Sequence, residues 1–466
     1  MVYALRKNII LRLVPGLITT FVLGITSSCQ AVITRGPYLS FAGDPAHSMV
    51  VSWGTQSLQT GSVWYGTSIP YSFVVNETTA DTIHHVQLTG LSINTHYFYK
   101  VISGSDSATG NFWTAPNPDD PIEIIGYGDS QWYPAVHSRI VQQFMQYSPR
   151  LILKAGDSVQ KGIYGEWDYL FFKPAQNAIR RVPLISCAGN HDADSGCISP
   201  YFTYNLYQRL LEFPGNELYF GFDYGPVHFT ILNSQTAWQY GPETPQTQWL
   251  TTDLAATQQP YRIVMFHQPP YTCGSGNPNN MLIRQYWCPI LRTNHVQMVI
   301  NGHQHFYQRC EPGDGIVYVI TGGAGSGFYT PTFDSSYVRA AYPAYHFLRL
   351  QIRPDSIAVT AIDTSNTVLD WFTIFPWRPS VPEQIQNLNI QRDSGSIRLR
   401  WGAIRQDTSG FPLTVTQYRI YRNTLTPFFL PDSTSYMNAT ADTTFRDTSI
   451  SPQTTHAFYQ VTAIAP

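Results

Sequence analysis

Residues 298–305 read Met-Val-Ile-Asn-Gly-His-Gln-His, a short apolar run followed by a Gly-His-x-His motif. The apolar run predicts a buried strand. In an open α/β sheet, side chains that bind ligands gather beyond the carboxyl ends of the strands. Imidazole nitrogens bind borderline divalent metals. The stretch therefore predicts a strand that ends in a metal site, with His303 and His305 as candidate ligands.

Four further apolar runs end in residues of the same kind, which are Gly128-Asp129, Gly156-Asp157, Gly189-Asn190-His191-Asp192 and His267. A lone Gly-Asp pair after a strand is usually a turn, but chance rarely places so many oxygen and nitrogen donors in this order. Two carboxylates against two divalent ions leave a cationic site, which binds a phosphate dianion and lowers the pKa of bound water. We interpret the set as a two-metal hydrolytic centre.

Strands and helices alternate around these motifs. Helical spacing of apolar residues predicts helices over residues 136–147 and 247–254. The predicted strands are residues 122–127, 151–153, 182–185, 229–232, 262–266 and 298–300. This alternation predicts an α/β core with a layered sheet, which we assign to residues 120–376.

The flanking regions have a different pattern. Short alternating strands separated by turn residues predict small β-sandwiches over residues 32–116 and 383–466. Proline-rich segments at 115–121 and 375–382 separate them from the core. The chain of 466 residues is long enough for two to four domains.

The C-terminal region resembles a fibronectin type III domain. The resemblance rests on Trp401, on residues 418–422 (Tyr-Arg-Ile-Tyr-Arg) and on residues 459–463 (Tyr-Gln-Val-Thr-Ala). It implies that residues 383–466 form a second β-sandwich, the third domain of the chain, whose binding partner is unknown.

The composition excludes some classes of protein. Apolar residues make up 43% of the chain and charged residues 12%, which is typical of a folded protein and not of a disordered one. The net charge of -2 gives no electrostatic reason to expect nucleic acid or an anionic membrane as a partner.

Residues 1–31 have the pattern of an export signal. Arg6 and Lys7 precede an apolar run, Leu13 to Ile25, of signal-peptide length. The run is too short and too interrupted to predict a membrane span. Cleavage near Cys29 would give soluble export, and a lipid on Cys29 would give an anchored lipoprotein; an N-terminal strand of the mature protein is a third alternative. We expect a periplasmic, secreted or cell-surface protein.

Export would allow disulfides. Cys187 with Cys197 and Cys273 with Cys288 are plausible short-loop pairs, which leaves Cys310 as a candidate buried, free thiol. Sequence alone does not fix the connectivity. No Cys-x-x-Cys spacing is present, so we do not expect a zinc-thiolate site.

Residues 33–376 resemble the metallophosphoesterase superfamily, and within it the purple acid phosphatases with their N-terminal β-sandwich. The matching stretches are residues 34–39 (Thr-Arg-Gly-Pro-Tyr-Leu), 189–192 (Gly-Asn-His-Asp), 266–271 (Phe-His-Gln-Pro-Pro-Tyr) and 302–309 (Gly-His-Gln-His-Phe-Tyr-Gln-Arg). The resemblance implies a layered α/β/β/α catalytic core and an acid phosphatase-like enzyme that hydrolyses phosphomonoesters by in-line attack of a metal-bound hydroxide.

The resemblance also implies a role for each site residue. Six are metal ligands: Asp157 bridges both ions, Asp129 and His305 hold the first ion, and Asn190, His267 and His303 hold the second. His191 is implied as the proton donor to the leaving group, and Asp192 as the carboxylate that orients it.

Two positions depart from the family pattern. Gln160 stands where the family has the tyrosine that binds ferric iron, and Gln131 stands where relatives outside the purple group often have histidine. A neutral amide oxygen is a poor ligand for a trivalent ion. We therefore expect two divalent ions, such as Zn, Mn or ferrous iron, and no ferric-tyrosinate site.

Other functions remain open at this stage. Substrate choice depends on loops such as 193–227 and 271–289, so a phosphodiesterase or a nucleotide pyrophosphohydrolase is an alternative. A non-catalytic cell-surface binding protein is a second alternative, motivated by the sandwich domains and the two glutamines. The glycine-rich residues 322–327 lack the Lys-Ser/Thr of a P-loop and predict a turn beside the site.

Overall fold

The computed structural model describes residues 33–194, 202–235, 240–275, 278–332, 336–377, 382–408 and 413–465. The predicted export signal, including Cys29, lies outside the described residues. The chain divides into two compact units, Met1–Phe375 and Pro376–Pro466. Among the described residues, no helix has the length and apolar character needed to cross a membrane.

The first unit begins with a seven-stranded β-sandwich, as predicted. Its strands are β1 (Ile33–Ser40), β2 (Ser48–Gln59), β3 (Gly61–Gly66), β4 (Phe73–Asn76), β5 (Asp81–Thr89), β6 (His96–Ser103) and β7 (Asp106–Trp113). One sheet has the order β1-β2-β5 and the other β4-β3-β6-β7. Residues of β6 are alternately buried and half-buried, because successive side chains of a strand point to opposite faces.

Buried and partly buried hydrogen bonds join this sandwich to the α/β core of the first unit. The Tyr38 hydroxyl donates to the Leu210 carbonyl at 2.6 Å, and Arg35 Nε donates to Asp168 Oδ1 at 2.7 Å. Tyr38 and Arg35 belong to the Thr-Arg-Gly-Pro-Tyr-Leu stretch. The stretch therefore holds the sandwich against the core.

The core of the first unit has thirteen strands among the described residues. They are β8 (Ile122–Tyr127), β9 (Leu151–Lys154), β10 (Leu184–Ser186), β11 (Phe220–Tyr224), β12 (Val227–Ile231), β13 (Tyr261–Met265), β14 (Met298–Asn301), β15 (Tyr307–Cys310), β16 (Val317–Thr321), β17 (Val338–Tyr342), β18 (His346–Ile352), β19 (Ile357–Asp363) and β20 (Val368–Ile374). They form a six-stranded sheet, β10-β9-β8-β18-β19-β20, and a seven-stranded sheet, β11-β12-β13-β14-β16-β15-β17.

Helices cover the outer faces of the two sheets. They are α1 (Pro134–Phe144), α2 (Tyr164–Glu166), α3 (Lys173–Ile179), α4 (Asn205–Leu210), α5 (Pro245–Ala256) and α6 (Met281–Thr293), with a 3-10 turn at Met145–Tyr147 and a π-helical turn at Trp167–Phe172. Ile263 and Met265 of β13 pack in the apolar core between the sheets, whereas Val264 and Phe266 pack against α5 and α6. This alternation gives the predicted α/β/β/α layering.

Among its described residues, the second unit contains six strands in two sheets. They are β21 (Asn389–Asp393), β22 (Ser396–Arg400), β23 (Gln417–Asn423), β24 (Tyr436–Thr440), β25 (Thr444–Asp447) and β26 (Phe458–Ile464). The sheet orders are β21-β22-β25 and β24-β23-β26. Trp401, Tyr418 and Ile420 lie in the buried core of this unit.

The suggested disulfide between Cys273 and Cys288 is wrong, since no bond joins the two residues. Cys288 lies on the buried face of α6 and packs in the apolar cluster beneath that helix, whereas Cys273 packs in a separate small apolar cluster. Cys187 is buried, but its suggested partner Cys197 lies outside the described residues. Cys310 is a buried, free thiol, as predicted.

A buried histidine links three elements of the core through two carboxylates. His228 of β12 lies with Nδ1 2.7 Å from Asp223 Oδ1 of β11, and with Nε2 3.0 Å from Asp253 Oδ2 of α5. Burial lowers the pKa of His228, but hydrogen bonds to Asp223 and Asp253 outweigh this effect and raise the pKa to about 9. The imidazolium form therefore stabilises the fold.

The stabilisation by His228 should depend on pH. Because its pKa is higher in the folded state than the ordinary 6.5, the contribution is complete below about pH 6.5 and is lost as pH rises through about 9. We expect His228→Gln to lower the free energy of unfolding by about 2 kcal/mol at acidic pH and by little above about pH 10. Urea unfolding of both proteins at several pH values measures this difference, and a pH-independent difference would contradict the assignment.

Candidate metal centre

The candidate residues follow the carboxyl ends of five strands. Asp129 and His267 come two residues after β8 and β13, and Asp157 comes three residues after β9. Asn190 comes four residues after β10, and His303 two residues after β14. Strands β8, β9 and β10 run parallel to one another, as do β13 and β14. Parallel pairing places strand ends of one kind at the same edge, so these loops converge.

The first group of donors consists of Asp129, Asp157 and His305. One ligand atom from each lies within 4.8 Å of the others, and all three residues are buried. His305 Nε2 lies 3.6 Å from Asp129 Oδ1. This separation leaves the carboxylate and the imidazole directed toward one point.

The second group consists of Asp157, His267 and His303, joined by Asn190. His267 Nε2 lies 3.2 Å from Asp157 Oδ2, from Asn190 Oδ1 and from His303 Nδ1. Donor atoms from three other loops therefore lie within hydrogen-bond distance of His267 Nε2. Asp157 belongs to both groups, which is the arrangement required of a bridging carboxylate.

Two of the histidines have their tautomers fixed by backbone carbonyls. His267 Nδ1 lies 2.8 Å from the Ala155 carbonyl, and His305 Nδ1 lies 2.7 Å from the Gly327 carbonyl. Each Nδ1 therefore carries a hydrogen and donates it to the carbonyl, which directs Nε2 of both rings into the site. Metal-binding histidines in proteins are usually oriented in this way.

Burial and the neighbouring His267 separate the pKa values of the two carboxylates. Burial raises the pKa of Asp129 to about 7. Burial also opposes ionisation of Asp157, but the adjacent His267 outweighs it and lowers the pKa of Asp157. Asp157 in turn raises the pKa of His267 to about 9, against the effect of burial. Asp157 is therefore the permanently anionic member at neutral pH.

The other two imidazoles stay neutral. Burial, assisted by the charge of His267, lowers the pKa of His303 to about 3. Burial also lowers the pKa of His305, to about 4. Neutral imidazole is the metal-binding form, so both lone pairs are available at neutral pH.

The backbone at the ligands is in an uncommon conformation. Asp129, Asp157 and His303 have φ values of 59°, 51° and 70°, in the left-handed region. Such residues each cost on the order of 1 kcal/mol or more and cluster at functional sites. Glycine at 189 is equally constrained, because a Cβ there would lie 2.1 Å from Asp157 Oδ1 and 2.2 Å from the Asp157 nitrogen. The glycine in the Gly-Asn-His-Asp motif thus allows two ligand loops to touch.

His191 lies beside the two donor groups, and its orientation differs from the prediction. Its Nδ1 lies 2.8 Å from the Gln160 carbonyl, so that this carbonyl orients the ring. Asp192 instead accepts from the Ser158 nitrogen at 2.7 Å and from the Gly189 nitrogen at 2.9 Å. The predicted orientation of His191 by Asp192 is therefore corrected: Asp192 braces the two loops that carry Asp157 and His191.

Two supporting features were outside the sequence prediction. Lys154 is fully buried at the end of β9, where its ammonium group donates to the Gly156 carbonyl and, at 3.3 Å, to the Asp157 carbonyl. A lysine in a buried apolar strand is the signal that could have identified it. The second feature is Ser326, whose hydroxyl lies 2.9 Å from the Asp129 carbonyl. It belongs to the glycine-rich turn, which lies beside the site as predicted.

The donor set fits two divalent ions. Carboxylate, imidazole and amide donors suit zinc, manganese and ferrous iron. The Gln160 Oε1 atom is also buried and accepts no hydrogen bond among the described residues. A polar oxygen near the site is therefore without a partner in the described part of the chain. Two packed sheets with such donors at their strand ends define a metallophosphoesterase-type site.

Comparison with known proteins supports this class and narrows it. The model of the calcineurin-like phosphoesterase family matches residues 122–307, and that of the purple acid phosphatase N-terminal domain matches residues 34–114. The chain therefore contains a calcineurin-like phosphoesterase domain preceded by a purple acid phosphatase N-terminal domain.

Individual relatives agree with the family models. Purple acid phosphatase 15 of Arabidopsis thaliana is 26% identical over 317 residues, covering 57% of this chain and 57% of the relative. A phosphoenolpyruvate phosphatase of Allium cepa is 27% identical over 331 residues, covering 63% and 65%. The chain thus spans little more than half to about two thirds of these curated relatives' lengths.

A solved structure shares the fold. Purple acid phosphatase PPD1 of yellow lupin superposes with a TM-score of 0.65 and 18% sequence identity, covering 74% of this chain and 75% of the lupin chain. At this identity the likeness establishes the fold alone.

Proposed function

We propose that this chain is a two-metal phosphoesterase that hydrolyses phosphomonoesters. The observation that carries the proposal is that Asp157 is shared between two groups of metal-binding side chains, which come from five separate loops. A site with this charge and donor set is suited to a phosphate dianion. The phosphatase relatives support the same reaction class.

Each residue has an assigned part in the proposal. Asp157 would contribute to both metal sites, with Asp129 and His305 holding the first ion and Asn190, His267 and His303 holding the second. Bound ions would supply positive charge for the phosphoryl group and acidify a water. His191 presents its Nε2 to the leaving-group oxygen, because the Gln160 carbonyl holds Nδ1 as the donor on the far side of the ring. Asp192 keeps both loops in register.

The metal pair in this proposal is divalent. A ferric ion in this family is held by a tyrosinate, and Gln160 stands at that position. Since a neutral amide oxygen stabilises a trivalent ion poorly, zinc, manganese or ferrous iron fits the site better.

The domain division and the export are also proposals. The family models support a sandwich at 32–116 and a catalytic domain at 120–376, and the second compact unit supports a domain at 383–466. We propose a fibronectin type III-like sandwich for that unit, and its two sheets, β21-β22-β25 and β24-β23-β26, support this assignment. We assign residues 1–31 to export from their charge and apolar pattern.

The test combines metal analysis with a panel of phosphate esters. We expect about two divalent ions per purified chain, no strong visible charge-transfer band, and faster hydrolysis of an aryl phosphomonoester than of the matching diester. A preference for the diester would transfer the assignment to a phosphodiesterase. Fewer than one ion per chain, with no hydrolysis after Mn²⁺ or Zn²⁺ is added, would favour a non-catalytic binding protein.

A further inference from the structure

The amide of Gln131 reaches into the first group of metal-binding atoms. The residue is fully buried, two positions after Asp129. Its Nε2 lies 3.3 Å from Asp157 Oδ2 and 3.5 Å from His305 Nε2. These two atoms belong to the first donor group, so the end of the Gln131 side chain lies at the position of a further ligand.

The other end of the Gln131 amide contacts the Ser326 hydroxyl, which can either donate or accept a hydrogen bond. Gln131 Oε1 accepts from the Ser326 hydroxyl at 2.6 Å, and the same hydroxyl lies 2.9 Å from the Asp129 carbonyl. A hydroxyl has one hydrogen and two lone pairs. When Ser326 donates to the Asp129 carbonyl, its oxygen can accept from an amide N–H. Both orientations of the Gln131 amide are therefore satisfied at this end.

The two orientations of the amide differ only in whether its nitrogen or its oxygen faces the metal-binding atoms of the first group. A half-turn about the last side-chain bond exchanges nitrogen and oxygen and moves no other atom. A cation held by Asp157 and His305 repels N–H hydrogens and attracts a carbonyl oxygen. Amide oxygens are established ligands of hard divalent cations.

We propose that Gln131 is a metal ligand through its amide oxygen, and that it completes the first site with Asp129, Asp157 and His305. The inference rests on the proposed two-metal function. Its consequence concerns metal preference. An oxygen donor in place of a second imidazole favours manganese over zinc, because imidazole suits zinc and oxygen ligands suit manganese.

The experiment is a titration of the whole, metal-stripped chain with Mn²⁺. Binding is measured by calorimetry and by manganese electron paramagnetic resonance. We expect wild type to bind two ions. Gln131→Leu should weaken one site by at least about tenfold and leave the other unchanged. Gln131→His should restore that site and shift its preference from Mn²⁺ to Zn²⁺. Gln143→Leu serves as the matched control, because Gln143 lies on α1 and its side chain has Asn366 as its one hydrogen-bond partner within the described part of the chain.

The Gln131→Glu variant distinguishes between two roles of Gln131, that of a metal ligand and that of a purely structural residue. A carboxylate of the same length keeps an oxygen donor but cannot donate to Asp157. A ligand role predicts tighter Mn²⁺ binding at one site, whereas a purely structural role predicts weaker binding. Two wild-type sites in Gln131→Leu, or weaker binding in Gln131→Glu, would overturn the inference and leave the two-metal centre intact. Fewer than two ions in wild type would instead overturn the proposed function.

Discussion

Asp157→Asn is expected to abolish phosphatase activity and to remove both metal ions together. Asp157 is the only residue common to both donor groups, and its carboxylate is the anionic one at neutral pH. Asparagine keeps the size but replaces a negative oxygen with an N–H₂ group that faces the ions. A bound ion stabilises the transition state by several kcal/mol. Losing it should lower kcat/KM by about a thousandfold or more.

The measurement pairs kinetics with elemental analysis of the same preparation. Asp355→Asn is the matched control, since this carboxylate is exposed in the turn between β18 and β19. It should keep wild-type activity and metal content. If Asp157→Asn retained two ions per chain, Asp157 would not be the bridge, and the two groups would have to be independent sites.

The candidate metal-binding residues could be identified from the sequence because the rule that brings them together is local. Each follows a recognisable apolar strand, and parallel strands place their ends at one edge. Asp129, Asp157 and His267 needed no knowledge of which strands are neighbours. The same rule explains why the α/β/β/α core could be predicted although strands β11 and β15 to β20 were not.

What the sequence could not show depends on contacts with backbone atoms. The ring of His191 is oriented by the Gln160 carbonyl, and every residue type has such a carbonyl. Asp192 looked like the natural partner because it is the adjacent carboxylate. In the structure its two oxygens satisfy the Ser158 and Gly189 N–H groups, which are buried and would otherwise lack acceptors. The role of Asp192, which is to accept hydrogen bonds from two buried N–H groups, therefore follows from the burial of those groups.

The disulfide expectation failed for a related reason. Because Cys273 and Cys288 are close in sequence, closing the loop between them costs little conformational entropy. This closeness says nothing of where the side chains point. Helix α6 directs Cys288 into the core beside Tyr318, away from the loop that contains Cys273.

His191→Asn is expected to slow hydrolysis in proportion to the leaving group's need for a proton. A positioned general acid contributes about 10²–10⁴-fold. We expect a loss of this size with an alkyl phosphomonoester, whose alkoxide is a poor leaving group. With 4-nitrophenyl phosphate the loss should be much smaller, because nitrophenolate departs without a proton. The measurement is kcat/KM for both esters, with metal content determined in parallel.

His295→Asn is the matched control, because this histidine is exposed and its left-handed φ of 55° is one that asparagine tolerates. It should hydrolyse both esters at the wild-type rate. The metal content of His191→Asn should stay at two ions, since His191 belongs to neither donor group. An equal loss with both esters would show that His191 binds the phosphoryl group and donates no proton to the leaving group. Loss of an ion would show that it acts as a ligand.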